Sequence, residues 1–142
     1  MRKIFFLPVL ISFFIVACSQ TLKETDIPVI VASTFKNLYP LATNNHWTKE
    51  KKGYEASFVN DNKDCSVVFD ATGVVLETEV EIAETALPEA AQKYLAAKYP
   101  GVKIKETAII TDAKGTKTYE AEVKGNDLIF DAEGNFINKN ND

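Results

Sequence analysis

A spacing of about 60 residues recurs along the chain, and it constrains the fold more than any other feature. Thr25 and Thr85 lie 60 apart, as do Pro28 and Pro88 and the pairs Tyr39-Pro40 and Tyr99-Pro100. Tyr54-Glu55-Ala56 returns 65 residues on as Tyr119-Glu120-Ala121. Phe69-Asp70-Ala71-Thr72-Gly73 returns 61 residues on as Phe130-Asp131-Ala132-Glu133-Gly134. The order of these signals never changes, and the drift falls between them, where loops change length. The chain therefore holds two tandem copies of one unit.

Each copy predicts a helix followed by strands. Pro28 and Pro88 suit a first helical turn, where a missing N–H costs nothing. Ile27, Val31, Phe35 and Leu38 make one apolar stripe, repeated by Leu87, Ala91 and Leu95. Both helices should stop before Pro40 and Pro100, because a residue preceding proline avoids the helical region. Beyond them, Tyr54, Ala56 and Phe58 alternate with Glu55, Ser57 and Val59. Cys65, Val67 and Phe69 share one parity, and Val74, Leu76, Val80 and Ile82 alternate with Val75, Glu77, Glu79 and Glu81. Tyr119, Ala121 and Val123 alternate with Glu120, Glu122 and Lys124, and Leu128 and Phe130 with Ile129 and Asp131. Such alternation belongs to an antiparallel sheet with one buried and one wet face. Asp-Ala-Thr-Gly, Asp-Ala-Glu-Gly and Ala113-Lys114-Gly115-Thr116 predict tight turns. The expected architecture is α+β: two tandem helix-plus-antiparallel-strand repeats forming one sheet of roughly eight strands, with two helices on one face. The repeats are expected over 26–83 and 84–142, joined without a flexible linker. One copy alone is near the lower size limit for an independent core.

The N-terminal segment has another character. Arg2 and Lys3 precede an almost unbroken apolar run from Ile4 to Ala17. It is shorter than the roughly 20 residues of a spanning helix, and the pattern is that of an export signal over 1–17. Ile15-Val16-Ala17-Cys18 resembles the lipobox of bacterial lipoproteins, which implies cleavage before Cys18 and lipidation of its sulfur. The membrane lipid is then a partner through Cys18. Ser19 carries no inner-membrane retention signal, so the outer membrane of the bacterial envelope is the expected location. Residues 18–25 read as a lipidated polar tether. Without Arg2 and Lys3, 14 basic residues face 20 acidic ones, a formal charge of −6. That balance argues against nucleic acid and against a basic membrane-binding face.

The residues of the two copies resemble the PepSY-like family of small bacterial envelope proteins. The family pattern is a Pro-opened helix ending in Tyr-Pro, a Trp-bearing strand, Gly-Tyr-Glu-x-x-Phe, and Phe-Asp-x-x-Gly. Here Pro28, Tyr39-Pro40, Trp47, Gly53-Tyr54-Glu55-Ala56-Ser57-Phe58 and Phe69 to Gly73 match it. Pro88, Tyr99-Pro100-Gly101, Tyr119 to Val123 and Phe130 to Gly134 match it again, without a Trp and without a Gly before Tyr119. The resemblance implies a tandem β-lactamase-inhibitory-protein-like fold and binding of a protein or peptide. It implies no catalytic residues, and a shared fold does not transfer a target.

The chemistry-bearing residues are sparse. His46 is the single histidine and Cys65 the single thiol beyond Cys18, too few for a metal centre of three or four nitrogen or sulfur ligands. No metal and no cofactor is expected. Asn60-Asp61-Asn62-Lys63-Asp64 lacks the Gly and Glu of a calcium loop and reads as a hairpin turn. No Gly-x-Ser-x-Gly elbow is present, so a non-catalytic protein is expected. What stands out is the wet face, where Glu77, Glu79, Glu81, Glu55, Glu120 and Glu122 should lie together. Lys103, Lys105 and Lys124 should be interspersed, and Val59, Val75 and Ile129 should add apolar spots. A binding module for a protein or peptide follows, with Trp47 and Tyr54 as candidate aromatic anchors and an inhibitor of a peptidase as one form it could take. The alternatives are a structural or stress-related envelope lipoprotein without a specific partner at the sheet, or a small-ligand binder.

Overall fold

The computed structural model describes residues 20–51 and 53–141. The segment read as an export signal, the lipobox-like residues and Cys18 lie outside the described residues. From its N-terminal end the described chain runs β1 (Gln20–Leu22), a 3₁₀ turn (Glu24–Asp26), α1 (Val29–Leu38), β2 (Thr43–Glu50), β3 (Gly53–Asn60), β4 (Lys63–Phe69) and β5 (Val75–Glu81). The pattern then repeats: a 3₁₀ turn (Glu84–Ala86), α2 (Glu89–Lys98), β6 (Glu106–Asp112), β7 (Lys117–Glu122), β8 (Asn126–Phe130) and β9 (Phe136–Asn141). All neighbours pair antiparallel, in the order β1 to β9, as a single meander.

The sheet thus has nine strands, where roughly eight were expected. The additional strand is β1, which lies in the segment read as a tether. Gln20 and Thr21 are polar, Leu22 packs on the first core, and three residues are too few to show an alternating pattern. They are held by register, Gln20 opposite Lys49 and Leu22 opposite Trp47.

The helices begin and end where the prolines dictate. Pro28 and Pro88 cap α1 and α2, with φ of −53° and −54°, and their carbonyls accept from the N–H groups of Ala32 and Gln92. Tyr39 and Tyr99, each before a proline, have already left helical geometry. Two-residue turns with positive φ close two of the hairpins, at Asp61-Asn62 and at Lys124-Gly125.

Both helices cover the same face. Cys65, Val80, Ile109, Tyr119 and Phe130 are directly opposed across β4 to β8, so their side chains share one face. Cys65 packs on the first core, with Ile27, Val31, Phe35, Trp47, Phe58 and Phe69. Tyr119 and Phe130 belong to the second, with Leu87, Ala91, Leu95, Val123 and Leu128. Two apolar cores, one per repeat, therefore lie on one continuous sheet. The other face carries no helix.

Candidate functional site

The register decides which side chains share the helix-free face. Successive side chains on a strand point to opposite faces, and directly opposed residues point the same way. Ala56 and Val67 are opposed and fully buried beneath α1, so Glu55, Ser57, Ser66 and Val68 lie on the open face. One row across it reads Thr48, Glu55, Val68, Glu77, Asp112. The next reads His46, Ser57, Ser66, Glu79, Ile110, Thr118. A third reads Glu81, Ala108, Glu120, Ile129, Asn138. The last reads Glu106, Glu122, Asp127. The six glutamates expected on one face, Glu55, Glu77, Glu79, Glu81, Glu120 and Glu122, are together there.

Sequence patterning did not bring in Asp64, Glu106, Asp112 and Asp127, which extend the acidic surface. Asp127 was within reach, since it has the parity of Ile129 on a strand whose alternation is plain. Glu106 and Asp112 needed the β5–β6 register, which only the folded chain supplies.

Three other expectations fail. Trp47 is 3% exposed and sits in the first core, edge-on to Phe35 at 5.3 Å between ring centroids. It cannot anchor a partner on the opposite face. Tyr54 also lies on the helix side, half-buried against that core, with the Lys49 ammonium 3.8 Å from its ring centroid. Val75 packs on the same core rather than on the wet face, while Val74 is exposed. The cause is a bulge: the register shifts between Val68 and Phe69, leaving Leu76 as the extra residue and inverting parity before Glu77.

Like charges directly opposed on a sheet destabilise it, and here three acidic pairs are opposed: Glu77 with Asp112, Glu106 with Glu122, and Glu122 with Asp127. Partial relief comes from Lys105, whose ammonium donates to both carboxylate oxygens of Glu122 at 2.9 and 2.8 Å. The Thr48 hydroxyl donates to Glu55 at 3.2 Å, and the Asp64 N–H to Glu81 at 3.4 Å. Near the centre, Glu55, Ser57, Asp64, Ser66, Glu79 and Glu106 line an open hollow of about 240 Å³. Burial pushes the Glu79 carboxyl up to about 7, reinforced by the charges of Glu106, Glu55, Glu77 and Asp127. Glu106 is also raised, first by burial and then by Glu81, Glu122 and Asp64, with Lys105 acting in the opposite sense.

The geometry is that of an electrostatic surface. His46 is exposed and lies opposite Ser57, with no hydrogen bond between their side chains and no third group orienting the imidazole among the described residues. Cys65 is half-buried on the helix side, its thiol pushed up by burial. Among the described residues, no group of three or more His, Cys, Asp and Glu is placed to hold a metal ion.

Comparison with known proteins bears on the fold and the family. The sequence model of the family described as "Putative beta-lactamase-inhibitor-like, PepSY-like" matches residues 15–77 and 52–138. Among solved structures, one described as of "putative periplasmic proteins" from Bacteroides eggerthii aligns with a TM-score of 0.73 at 19% identity, over 81% of this chain and 88% of that one. A DUF2874 family protein from Bacteroides uniformis aligns with a TM-score of 0.70 at 22% identity, over 80% and 88%. A BLIP-like protein from Bacteroides fragilis aligns with a TM-score of 0.62 at 24% identity, over 78% and 82%. No curated protein matches the chain in sequence.

Proposed function

This chain belongs to the PepSY-like family, and from that premise we propose that it is a non-catalytic, lipid-anchored protein of the bacterial envelope. Its open sheet face docks a protein or peptide partner that presents basic side chains. The observation that carries this reading is the crowding of carboxylates on the helix-free face, three pairs of them directly opposed across strands. A face that pays for such repulsion gains most from a cationic surface laid against it. Complementary charge of this kind mainly sets the rate of encounter and the choice of partner.

The description of one neighbouring structure as of putative periplasmic proteins supports an envelope location, and the lipobox-like Ile15-Val16-Ala17-Cys18 supports anchoring, with the outer membrane as the site. The likeness to β-lactamase inhibitors in the family's description supports a partner that is itself a protein.

Crosslinking and affinity capture from intact envelopes tests the site. The lipidated wild type is one bait and a Glu77/Glu79/Glu81→Lys variant the other. The expected outcome is a protein enriched by the wild type, weakened by rising salt, and lost with the variant. Equal recovery by both baits would sink the open face as the docking surface.

A further inference from the structure

The two helices are built alike and dressed differently. Residues 60 positions apart occupy equivalent places on α1 and α2. Where α1 and its exit expose Val29 (85%), Ile30 (51%), Leu38 (52%) and Leu41 (77%), the second copy has Glu89, Ala90, Lys98 and Gly101. On α2, Glu89 and Lys93 form a surface ion pair at 2.6 Å. On α1 there is no acidic residue, and its one charged residue, Lys36, is paired with Glu24 at 3.0 Å. Equivalent packing does not require this difference, since both helices bury the same stripe against the sheet. The outer surface of α1 therefore answers to something that α2 does not meet.

The position of the N-terminal edge indicates what that is. β1 begins at Gln20, two residues after Cys18, and two residues span at most about 7 Å. The chain then passes through a single 3₁₀ turn into α1. A lipid on Cys18 would hold β1 at the bilayer with almost no slack, and α1 is the first helix beside it. Next to the turn, Ile27, Val29 and Ala32 line an open hollow together with Glu24, Thr25, Ser33 and Lys36, so apolar and charged side chains share the surface toward the anchored end.

We propose that the outer surface of α1 at its N-terminal end, through Val29 and Ile30, rests on the lipid bilayer to which Cys18 is attached. The occupant of this surface is lipid rather than a second protein. α1 carries no carboxylate of its own, and exposed apolar side chains beside Lys36, whose charge is paired with Glu24, suit the boundary between headgroups and acyl chains. The acidic face lies on the other side of the sheet, so this pose turns its carboxylates away from an anionic membrane and toward a partner arriving from the aqueous side. The inference rests on the lipid-anchored reading above.

The test uses the full lipidated protein in vesicles of phosphatidylethanolamine and phosphatidylglycerol, a third of the lipid carrying brominated acyl chains. In a Cys65→Ser background, an environment-sensitive fluorophore is attached in turn to Val29→Cys, Glu89→Cys and Glu120→Cys. Val29 and Glu89 are exposed, and Glu120 lies on the open face, so no label enters a core. Radiolabelled palmitate, followed in the same preparations, reports acylation of Cys18. The expected result is at least twofold stronger quenching at position 29 than at 89 or 120. Acylated protein with equal quenching at all three positions overturns the α1 pose and leaves the anchor standing. Failure of the wild type to incorporate palmitate, with a Cys18→Ser variant behaving identically, overturns the anchor and the pose together.

Discussion

A carboxyl that titrates near 7 in the folded protein holds its proton more tightly there than in the unfolded chain. Glu79 is such a group, raised from 4.5 to about 7. Below about pH 4.5 it is protonated in both states and costs nothing. As pH rises to about 7 the unfolded chain ionises first, and folding loses stability until both states are charged. Glu79→Gln removes this penalty. It should stabilise the protein at pH 8 by about 1–3 kcal/mol, with solvent screening pulling a half-buried group toward the lower figure. At pH 4 it should change little. Denaturant midpoints measured at both pH values check this, and an equal effect at both would show that Glu79 is not held in its uncharged form. The three turn aspartates are displaced the other way. Asp70, Asp112 and Asp131 are lowered by hydrogen bonds to the ionised carboxyl, so their contribution is present above the ordinary carboxylate range and fades as pH falls through their lowered values. The identity of the acidic residues on the open face was largely legible in sequence, because alternation alone sorts Glu55, Glu120 and Glu122 from their neighbours. The titration of Glu79 was not. It depends first on burial among the folded strands and then on charges such as that of Glu106 on β6, which come near only once the strands have found their register.

At the scale of elements, the repeated Phe-Asp-x-x-Gly motif shows why a turn can outlast the rest of a sequence pattern. Asp70 Oδ1 accepts from the Thr72 and Val74 N–H groups at 2.8 and 3.0 Å. Asp131 Oδ1 accepts from Glu133 and Asn135 at 3.0 and 2.8 Å. Each motif ends in a glycine of positive φ, +84° at Gly73 and +88° at Gly134. These glycines also press on the helices. A Cβ on Gly134 would lie 2.8 Å from the Ala91 nitrogen and 2.7 Å from the Pro88 Cβ. Gly115 has a similar φ of +82° and nothing within 4 Å of such a Cβ. Gly115→Ala should therefore cost only the backbone strain, about 1–2 kcal/mol. Gly134→Ala should cost about 3 kcal/mol or more, because the first turn of α2 must also move. Paired thermal melts separate the two, and equal losses would show that the turn does not support the helix. Gly at this place was readable as a turn residue, but its contact with the helix was not. β1 was misread for a related reason. Gln20–Leu22 is too short to show a strand pattern, and its counterpart sixty residues on, Val80–Ile82, shares only an aliphatic third residue with it. The bulge at Leu76, which put Val75 in the core, was equally invisible, because a single extra residue leaves no mark on an alternating pattern that continues correctly beyond it.

For the whole molecule, the question is whether two cores on one sheet unfold as one body. Each repeat buries its own cluster under its own helix, which would permit two transitions. The seam between them argues for one. β5 and β6 pair over five consecutive residues, from Glu77 opposite Asp112 to Glu81 opposite Ala108. The Ile82 N–H donates to the Thr107 carbonyl at 2.9 Å, and the buried Thr107 hydroxyl returns a bond to the Ile82 carbonyl at 2.7 Å. Opening either repeat alone strips the pairing partner from a full strand edge of the other. It also leaves the Thr107 hydroxyl without its bond, and an unmade buried hydrogen bond costs more than a made one contributes. Trp47 is the sole tryptophan and lies in the first core, so its fluorescence reports that repeat. Phe130 is fully buried in the second, and Phe130→Ala should cost about 3–5 kcal/mol. If the sheet is one cooperative body, that distant substitution shifts the urea midpoint seen by Trp47 as far as the midpoint seen by far-ultraviolet circular dichroism. A Trp47 midpoint left in place while the dichroism splits into two steps would mean that the repeats are stable separately. The acidic face would then be a surface shared by two independently folding halves, and a partner laid across β3 to β8 would stabilise the seam as it binds.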